Sequence, residues 1–494
     1  MKRSSLRSLF AFVAVVLFLG CLGSNLQLWA QATSWTQIQI PKLPPFNPPQ
    51  PKRIELPNGM VIFLQEDHEL PMIDGTARIR GGGRRVPTNK TGLIDVYGEV
   101  WRTGGTKTQT GDQLDDYLEQ RAAKVETGGS IDSTTISWSC LKDDFDDVFH
   151  VFDDLLRNPE FRAEKIEIAQ KGLYDAVSRR NDDPSQLAGR EAAKLVYGAN
   201  NPYARVPEYA TVAAVTRQDL VAWHSTYVHP NNIILGVVGD FDSARMEALL
   251  RQAFDSWPKG AAVKETEIKP TPAKSAYYLV EKSDVNQSNI QMVAAGTVRK
   301  NPDYYAISVF NEAFGGGFSS RLFSDIRTTK GLAYAVGGGI GAAWDHDGML
   351  RLMVSTKSAT TFESIEAIDE ELAGLAKNPI SEEEINRAKD SILNSFVFRF
   401  DSPGKVLMEK MAYEFYGYPL DFLENFQKHI EKVTKADVER VASKYLHRDQ
   451  MAVLVVGNPS EFDKAPASLG PVNKVDITIP PPPPGIAAGE AEPH

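Results

Sequence analysis

Apolar residues recur along this chain in two distinct rhythms. Between Gly92 and Arg102 they fall at Leu93, Val96, Tyr97, Val100 and Trp101, the spacing of one helical face. Phe145, Val148, Phe149, Phe152 and Leu156 trace a second helical face. Ile136, Trp138 and Cys140 alternate with Ser137 and Ser139, as on a strand with one buried side. Leu56-Pro57-Asn58-Gly59-Met60 sets an Asn-Gly hairpin turn between short apolar runs. Ser381 with Glu384 makes a capping box at the start of a long helix. Gly331 suits a residue just past a helix end, with a strand expected from Ala333 to Val336. Elements mixed in this order predict an α+β fold, a mostly antiparallel sheet covered by helices.

The pattern occurs twice. Val215-Thr216, Asp219, Tyr227, His229 and Val237-Val238-Gly239 reappear as Val433-Thr434, Asp437, Tyr445, His447 and Val455-Val456-Gly457. Arg180-x-Asp182-x-Pro184 matches Arg399-x-Asp401-x-Pro403, and Asn158-Pro159 matches Asn378-Pro379. Ordered anchors at a nearly constant offset predict a duplicated domain, over 52–262 and 275–465. A short Lys/Pro-containing linker joins the copies. Residues 33–51 are Pro-rich and read as an extended linker. Residues 466–494, ending in PPPPP and AAGEAEP, are expected to form a disordered tail.

The first 32 residues differ from the rest. Lys2, Arg3 and Arg7 precede an apolar run from Leu9 to Leu19, and Ala30-Gln31-Ala32 offers a small-x-small cleavage site. That is an export signal, too short for a membrane span, and it predicts a periplasmic or extracellular protein. The alternative is a lipoprotein signal with Cys21 as the acylated residue. The chain's formal charge of −10 becomes more negative when the leader's three cations are lost. Nucleic acid is disfavoured as a partner, because phosphate binding needs a basic surface. After processing only Cys140 remains, so no internal disulfide forms, and a buried inert thiol is expected there.

Two segments carry the chemistry. Gly92 to Thr106 reads GLIDVYGEVWRTGGT, with Asp95 and Glu99 four apart on the polar face of the expected helix. Gly315 to Val336 reads GGGFSSRLFSDIRTTKGLAYAV and places Arg327 and Tyr334 on either side of a helix-to-strand corner. There is no Walker motif and no GxSxG elbow, and Gly337 to Ala342 fits only a loose GxGxxA followed by no helix. Together with NGMVIFLQEDHELP and the strand ending at Gly81-Gly82-Gly83, these segments resemble the insulinase/pitrilysin and mitochondrial-processing-peptidase family of zinc metallopeptidases. The likeness covers nearly all of residues 53–460.

That resemblance implies two domains facing one another as a clamshell. Peptidases of the family carry His-x-x-Glu-His on the first helix, where two histidines and a later glutamate hold Zn²⁺ and the motif's glutamate is the general base. Laid onto this chain, the first His position is Asp95, the base position Gly98, the second His position Glu99, and the third-ligand position falls near Asp175. The remaining histidines, among them His68, His150, His224, His229 and His346, are scattered. Glu99 is expected to pair with Arg102 on a solvated face. In the family the Arg/Tyr pair, here Arg327 and Tyr334, bonds substrate backbone and the oxyanion that forms during cleavage.

The resemblance therefore implies a non-catalytic, substrate-binding subunit of a two-chain zinc peptidase acting on peptides or unfolded polypeptide. No cofactor is expected in this chain, and zinc is expected in a homologous partner that keeps the motif. The alternative is a metal-free scaffold or binding protein of the same fold.

Overall fold

A computed structural model describes residues 50–264 and 267–486. The leader (1–32), nearly all of the Pro-rich segment and residues 487–494 lie outside the described residues. Strands β1 (Lys52–Glu55) and β2 (Val61–Glu66) form the expected hairpin, with Gly59 at φ +86° in its turn and the Asn58 side chain accepting from the Met60 amide at 3.2 Å. With β3 (Met72–Arg80), β4 (Lys124–Gly129), β5 (Ser133–Leu141) and β6 (Ile233–Gly239) they build a six-stranded sheet in the order β1-β2-β6-β3-β5-β4.

The second half follows a similar plan. Strands β7 (Tyr277–Glu281), β8 (Gln287–Ala295), β10 (Ala333–Gly339), β12 (Met349–Lys357), β13 (Ala452–Gly457) and β14 (Val472–Lys474) form a sheet in the order β10-β12-β8-β13-β7-β14. A separate two-stranded ribbon pairs β9 (Thr297–Val298) with β11 (Ala342–Ala343). Five strands correspond one to one, β2-β6-β3-β5-β4 with β7-β13-β8-β12-β10, including the parallel pairs β2–β6 and β7–β13. The sixth strand of each sheet comes from opposite ends of the chain.

That sixth strand corrects the expected tail. Residues 472–474 lie parallel to β7 and close an otherwise open edge, whose unpaired amides and carbonyls need a partner. The Val475 amide continues the pairing onto the Leu279 carbonyl, and the Asn181 side chain donates to the Ile477 carbonyl at 2.9 Å.

The helices include α1 (Leu93–Thr103), α2 (Ala163–Arg179), α3 (Pro184–Tyr197) and α4 (Pro403–Tyr416). Helices α3 and α4 begin in the matched Asp-x-Pro segments, and each packs on the sheet of the other half. Leu187, Ala188, Ala192 and Val196 of α3 share one core with Val280, Val293, Leu454 and Val456 of the second sheet. Conversely, α4 lies over β6 and β2. Gly236 in β6 makes that approach possible, because a Cβ there would fall 2.3 Å from the Met411 sulfur and 3.2 Å from Leu407. Both helices begin alike: Asp183 or Ser402 caps the first amides, and a proline with no N–H to satisfy occupies the first turn.

Polar contacts reinforce the exchange. Arg84, almost fully buried, reaches Asp345 at 2.6 Å, and Tyr203 and Tyr416 both donate to Asp132 at 2.9 Å. The His346 ring stacks on Tyr203 at 3.7 Å. Burial opposes ionisation of Asp345, but hydrogen bonds from His346 and Arg84 outweigh it and bring its pKa to about 2. Cys140 is buried as expected, and burial pushes its thiol up to about 12. Among the described residues no helix is long and apolar enough to cross a membrane.

Reciprocal exchange makes a testable demand on cooperativity. Leu187→Ala and Met411→Ala should each destabilise the protein by about 2–5 kcal/mol, the usual range for emptying a packed aliphatic site. In denaturant titrations followed by tryptophan fluorescence and circular dichroism, both variants should shift one shared transition. Two separable transitions, one per half, would show that the halves fold independently.

Candidate functional site

Helix α1 is anchored by the face that the sequence assigns to the core. Leu93, Val96, Tyr97, Val100 and Trp101 are all buried; Trp101 donates to the Leu155 carbonyl at 2.8 Å, and the Tyr97 hydroxyl meets Nδ1 of His224 at 2.9 Å. Burial pulls His224 down to a pKa of about 4, so it is neutral at physiological pH. It lies among Tyr97, Trp101 and Phe161, on the core side of the helix. Other histidines make their contacts elsewhere: His68 between Asp240 and Glu66, His346 beside Asp345.

Asp95 and Glu99 sit on the exposed face of α1, and Asp175 is exposed on α2. Partial burial raises the Asp95 carboxyl above its ordinary pKa. It lines a cleft of about 230 Å³ together with Thr91, Ile94, Ser130 and Arg205. Among the described residues no three His, Cys, Asp or Glu side chains form a metal-holding group, so the three carboxylates are not gathered into one.

Gly98 decides how the site can be used. A Cβ at this position would lie 2.3 Å from the Gly129 nitrogen and 2.8 Å from the Gly128 carbonyl carbon. The obstacle is strand backbone, and Thr127 ties it to the helix by donating to the Gly98 carbonyl at 2.6 Å. A glutamate cannot stand here while α1 keeps its seat on β4. With no imidazole at 95 or 99 and no room for a base at 98, the residues present do not fit a catalytic zinc.

The expected Glu99–Arg102 pair is not formed. Arg102 turns inward, donating to the Val125 carbonyl at 2.9 Å and pairing with Asp115 at 2.5 Å. The buried carbonyl is a stronger demand than a surface ion pair, which contributes little.

In the second half, Arg327 and Tyr334 occupy two irregular pieces of backbone. Residues Phe323–Thr329 form a π-helical turn, wider than the ordinary helix expected there, with the Lys330 amide reaching back to the Asp325 carbonyl. Gly331 at φ +66° then ends the helix, as expected, and the Leu332 amide bonds the Ile326 carbonyl. Arg327, exposed, rests over the Phe323 ring at 4.7 Å, and Phe323 is braced edge-on by Phe318 at 5.1 Å.

Tyr334 sits at a β-bulge. Ala333 pairs with Thr356 and Ala335 with Ser355, which leaves Tyr334 as the extra residue on edge strand β10. Tyr334 is 51% exposed, so its phenol is open to a ligand. It lines a cleft of about 560 Å³ with Gln287, Lys357 and Glu461. Ala335 lines a second cleft, about 810 Å³, that shares Gln287 and Glu461 and reaches Asp183 of the first half. π-turns and bulges interrupt regular hydrogen bonding, and both are over-represented at functional sites because they re-aim side chains. The contact of Phe323 with Arg327 is legible as an i, i+4 spacing; the bulge leaves no mark in Ala-Tyr-Ala-Val.

Two family models match the chain: "Insulinase (Peptidase family M16)" over residues 101–197 and "Peptidase M16 inactive domain" over 214–392. The chain belongs to the insulinase family, peptidase family M16. The first match begins just past Gly98 and Glu99. Among this M16 member's relatives, YmxG of Helicobacter pylori, named a non-peptidase homolog, is 23% identical over 403 residues, covering 80% of this chain and 91% of its own. An uncharacterized zinc protease of Mycobacterium leprae is 24% identical over 352 residues, covering 69% and 78%. The solved peptidase M16 inactive domain from Pseudomonas fluorescens superposes with a TM-score of 0.75 at 24% identity, over 83% of this chain and 98% of that one.

The inward turn of Arg102 separates two variants that are otherwise similar surface charges in the sequence. Arg102→Ala removes a donor from the buried Val125 carbonyl and should destabilise by about 1–3 kcal/mol. Glu99→Ala should stay within about 0.5 kcal/mol of the parent, as surface substitutions do. Equal losses in chemical denaturation would restore the Glu99–Arg102 pair.

Proposed function

We propose that this M16 member is the substrate-gripping, non-catalytic subunit of a two-chain zinc peptidase, whose catalytic partner is a homologous chain with an intact His-x-x-Glu-His. The observation that carries this role is the contrast between the two halves. The first half lacks both imidazoles and has no space for the base. The second half has Arg327 on a π-turn and Tyr334 on a bulge, both exposed, with Tyr334 beside a cleft. A guanidinium can bond the carbonyls of a bound peptide, and a phenol can donate to a bound carbonyl and more strongly to the oxyanion that develops from it on cleavage. Where Tyr334 and Ala335 are exposed, the edge of β10 offers main-chain groups that an extended peptide can pair with. The leader in residues 1–32 would place the pair outside the cytoplasm, in the periplasm or beyond.

A pure scaffold is the second reading, favoured by the non-peptidase name of the Helicobacter pylori relative. The two separate on kinetics. Purified chain should carry no stoichiometric zinc by elemental analysis and should not cleave unfolded peptides, yet should restore activity to a zinc-motif homologue. Arg327→Ala and Tyr334→Phe should each lower kcat of the mixture about 10²-fold or more, the loss expected for one oxyanion or positioning contact. Complex formation should be unchanged. Full activity of the mixture with both residues replaced would leave the scaffold role.

A further inference from the structure

Gly98 has a counterpart in the other half. Residues 95–98 read Asp-Val-Tyr-Gly and residues 312–315 read Glu-Ala-Phe-Gly: an acid, an aliphatic residue, an aromatic and a glycine. Tyr97 and Phe314 are both fully buried. A Cβ on Gly315 would lie 2.5 Å from the Gly338 carbonyl oxygen and 3.0 Å from the Gly338 nitrogen, as one on Gly98 would meet Gly129 and Gly128. Gly338 lies on β10 and Gly128–Gly129 on β4, the corresponding edge strands of the two sheets. In each half, therefore, a helical segment, α1 in the first and the π-helical turn Glu312–Gly316 that continues the helix Tyr304–Asn311 in the second, is seated on its edge strand by backbone meeting backbone through glycine. The second-half contact falls within the segment that matches the inactive-domain model.

We infer that Gly98 is a packing residue that the fold of this chain requires: the catalytic-base position is closed by a helix–strand contact, in the manner of the second half. Losing the zinc motif was then more than a change of exposed ligands. Asp95 lines a cleft and Glu99 points outward, so neither side chain is walled in by backbone, whereas position 98 cannot accept any side chain without lifting α1 from β4. Putting the three motif residues back should not rebuild a peptidase.

Helix propensity supplies a sharp test. Alanine is favoured over glycine inside a helix, so Gly→Ala raises stability wherever there is room. Gly172 on α2 is exposed, and a Cβ added there would meet no atom within 4 Å. Gly172→Ala should raise Tm, while Gly98→Ala and Gly315→Ala should lower it by several degrees. Gly128→Ala, whose Cβ would meet only the Thr135 hydroxyl at 3.5 Å, should keep Tm near the parent value. Failure of Gly98→Ala to accumulate as soluble protein, with Gly172→Ala and Gly128→Ala folded, supports the same conclusion. The double variant Asp95→His/Glu99→His should keep the parent Tm. Adding Gly98→Glu should lower it and yield no zinc-dependent peptide cleavage. A Gly98→Ala protein at or above the parent Tm, or a triple variant that cleaves peptide when zinc is added, would overturn the inference.

Discussion

Each sheet in this chain is covered on one face by a helix from the other half, and most other features depend on that exchange. Leu187 and its neighbours on α3 complete the core under β8 and β13, while Met411 and Leu407 on α4 fill the face over β6 that Gly236 leaves open. An apolar sheet face left bare would expose several side chains, each worth roughly 1.5–3 kcal/mol when buried. Neither half can satisfy its own sheet, so the two are bound into one body whatever the linker does. The buried Arg84–Asp345 pair and the Asp132–tyrosine bonds fix the register of that body. With the central strands clamped, β4 and β10 remain as corresponding edge strands on one side of each sheet.

Those two edges have gone different ways. At β4 the neighbouring helix sits so close that only glycine fits, and the chemistry that a base and a metal would supply has no place to stand. Losing a general base alone lowers a rate by about 10²–10⁴. Before β10 comes a π-turn and within the strand a bulge, and Arg327 and Tyr334, the side chains proposed to hold a peptide and its oxyanion, are exposed there. Both edges carry the glycine contact, at Gly98 and at Gly315, and what differs is the strand beyond it: on β10 a bulge presents Tyr334 to solvent. The proposed division of labour with a second chain rests on that difference.

Much of this is legible in the residues. The apolar spacing of Leu93 to Trp101 places α1 and its buried face, and the repeated Thr-x-x-Asp caps and Asp-x-Pro starts point to a repeat whose two sheets share the order of five strands. The family resemblance, resting on the segments around Asp95 and Arg327, agrees with the matched models. What escapes the sequence is set by distant contacts. The exchange of α3 and α4 depends on which sheet each helix meets, and local periodicity is identical either way. Spacing assigns Arg102 to Glu99, but a buried carbonyl 23 residues away claims it. The last strand is hidden in a Pro-rich tail because three residues added to an existing edge need little pattern of their own. The glycine contact at 98 has a sequence signature, Asp-Val-Tyr-Gly against Glu-Ala-Phe-Gly, that becomes meaningful only once both helices are seen on their edge strands.

The central claim is that a chain without a catalytic site still grips peptide through Arg327 and Tyr334. Its most direct test needs no partner and no cleavage: the affinity of the purified chain for a fluorescent unfolded peptide, by anisotropy. Binding that weakens about tenfold or more in an Arg327→Ala/Tyr334→Phe double variant, the equivalent of about 1.4 kcal/mol, is the predicted result. Absence of binding by the parent chain, or equal binding by the double variant, would contradict it.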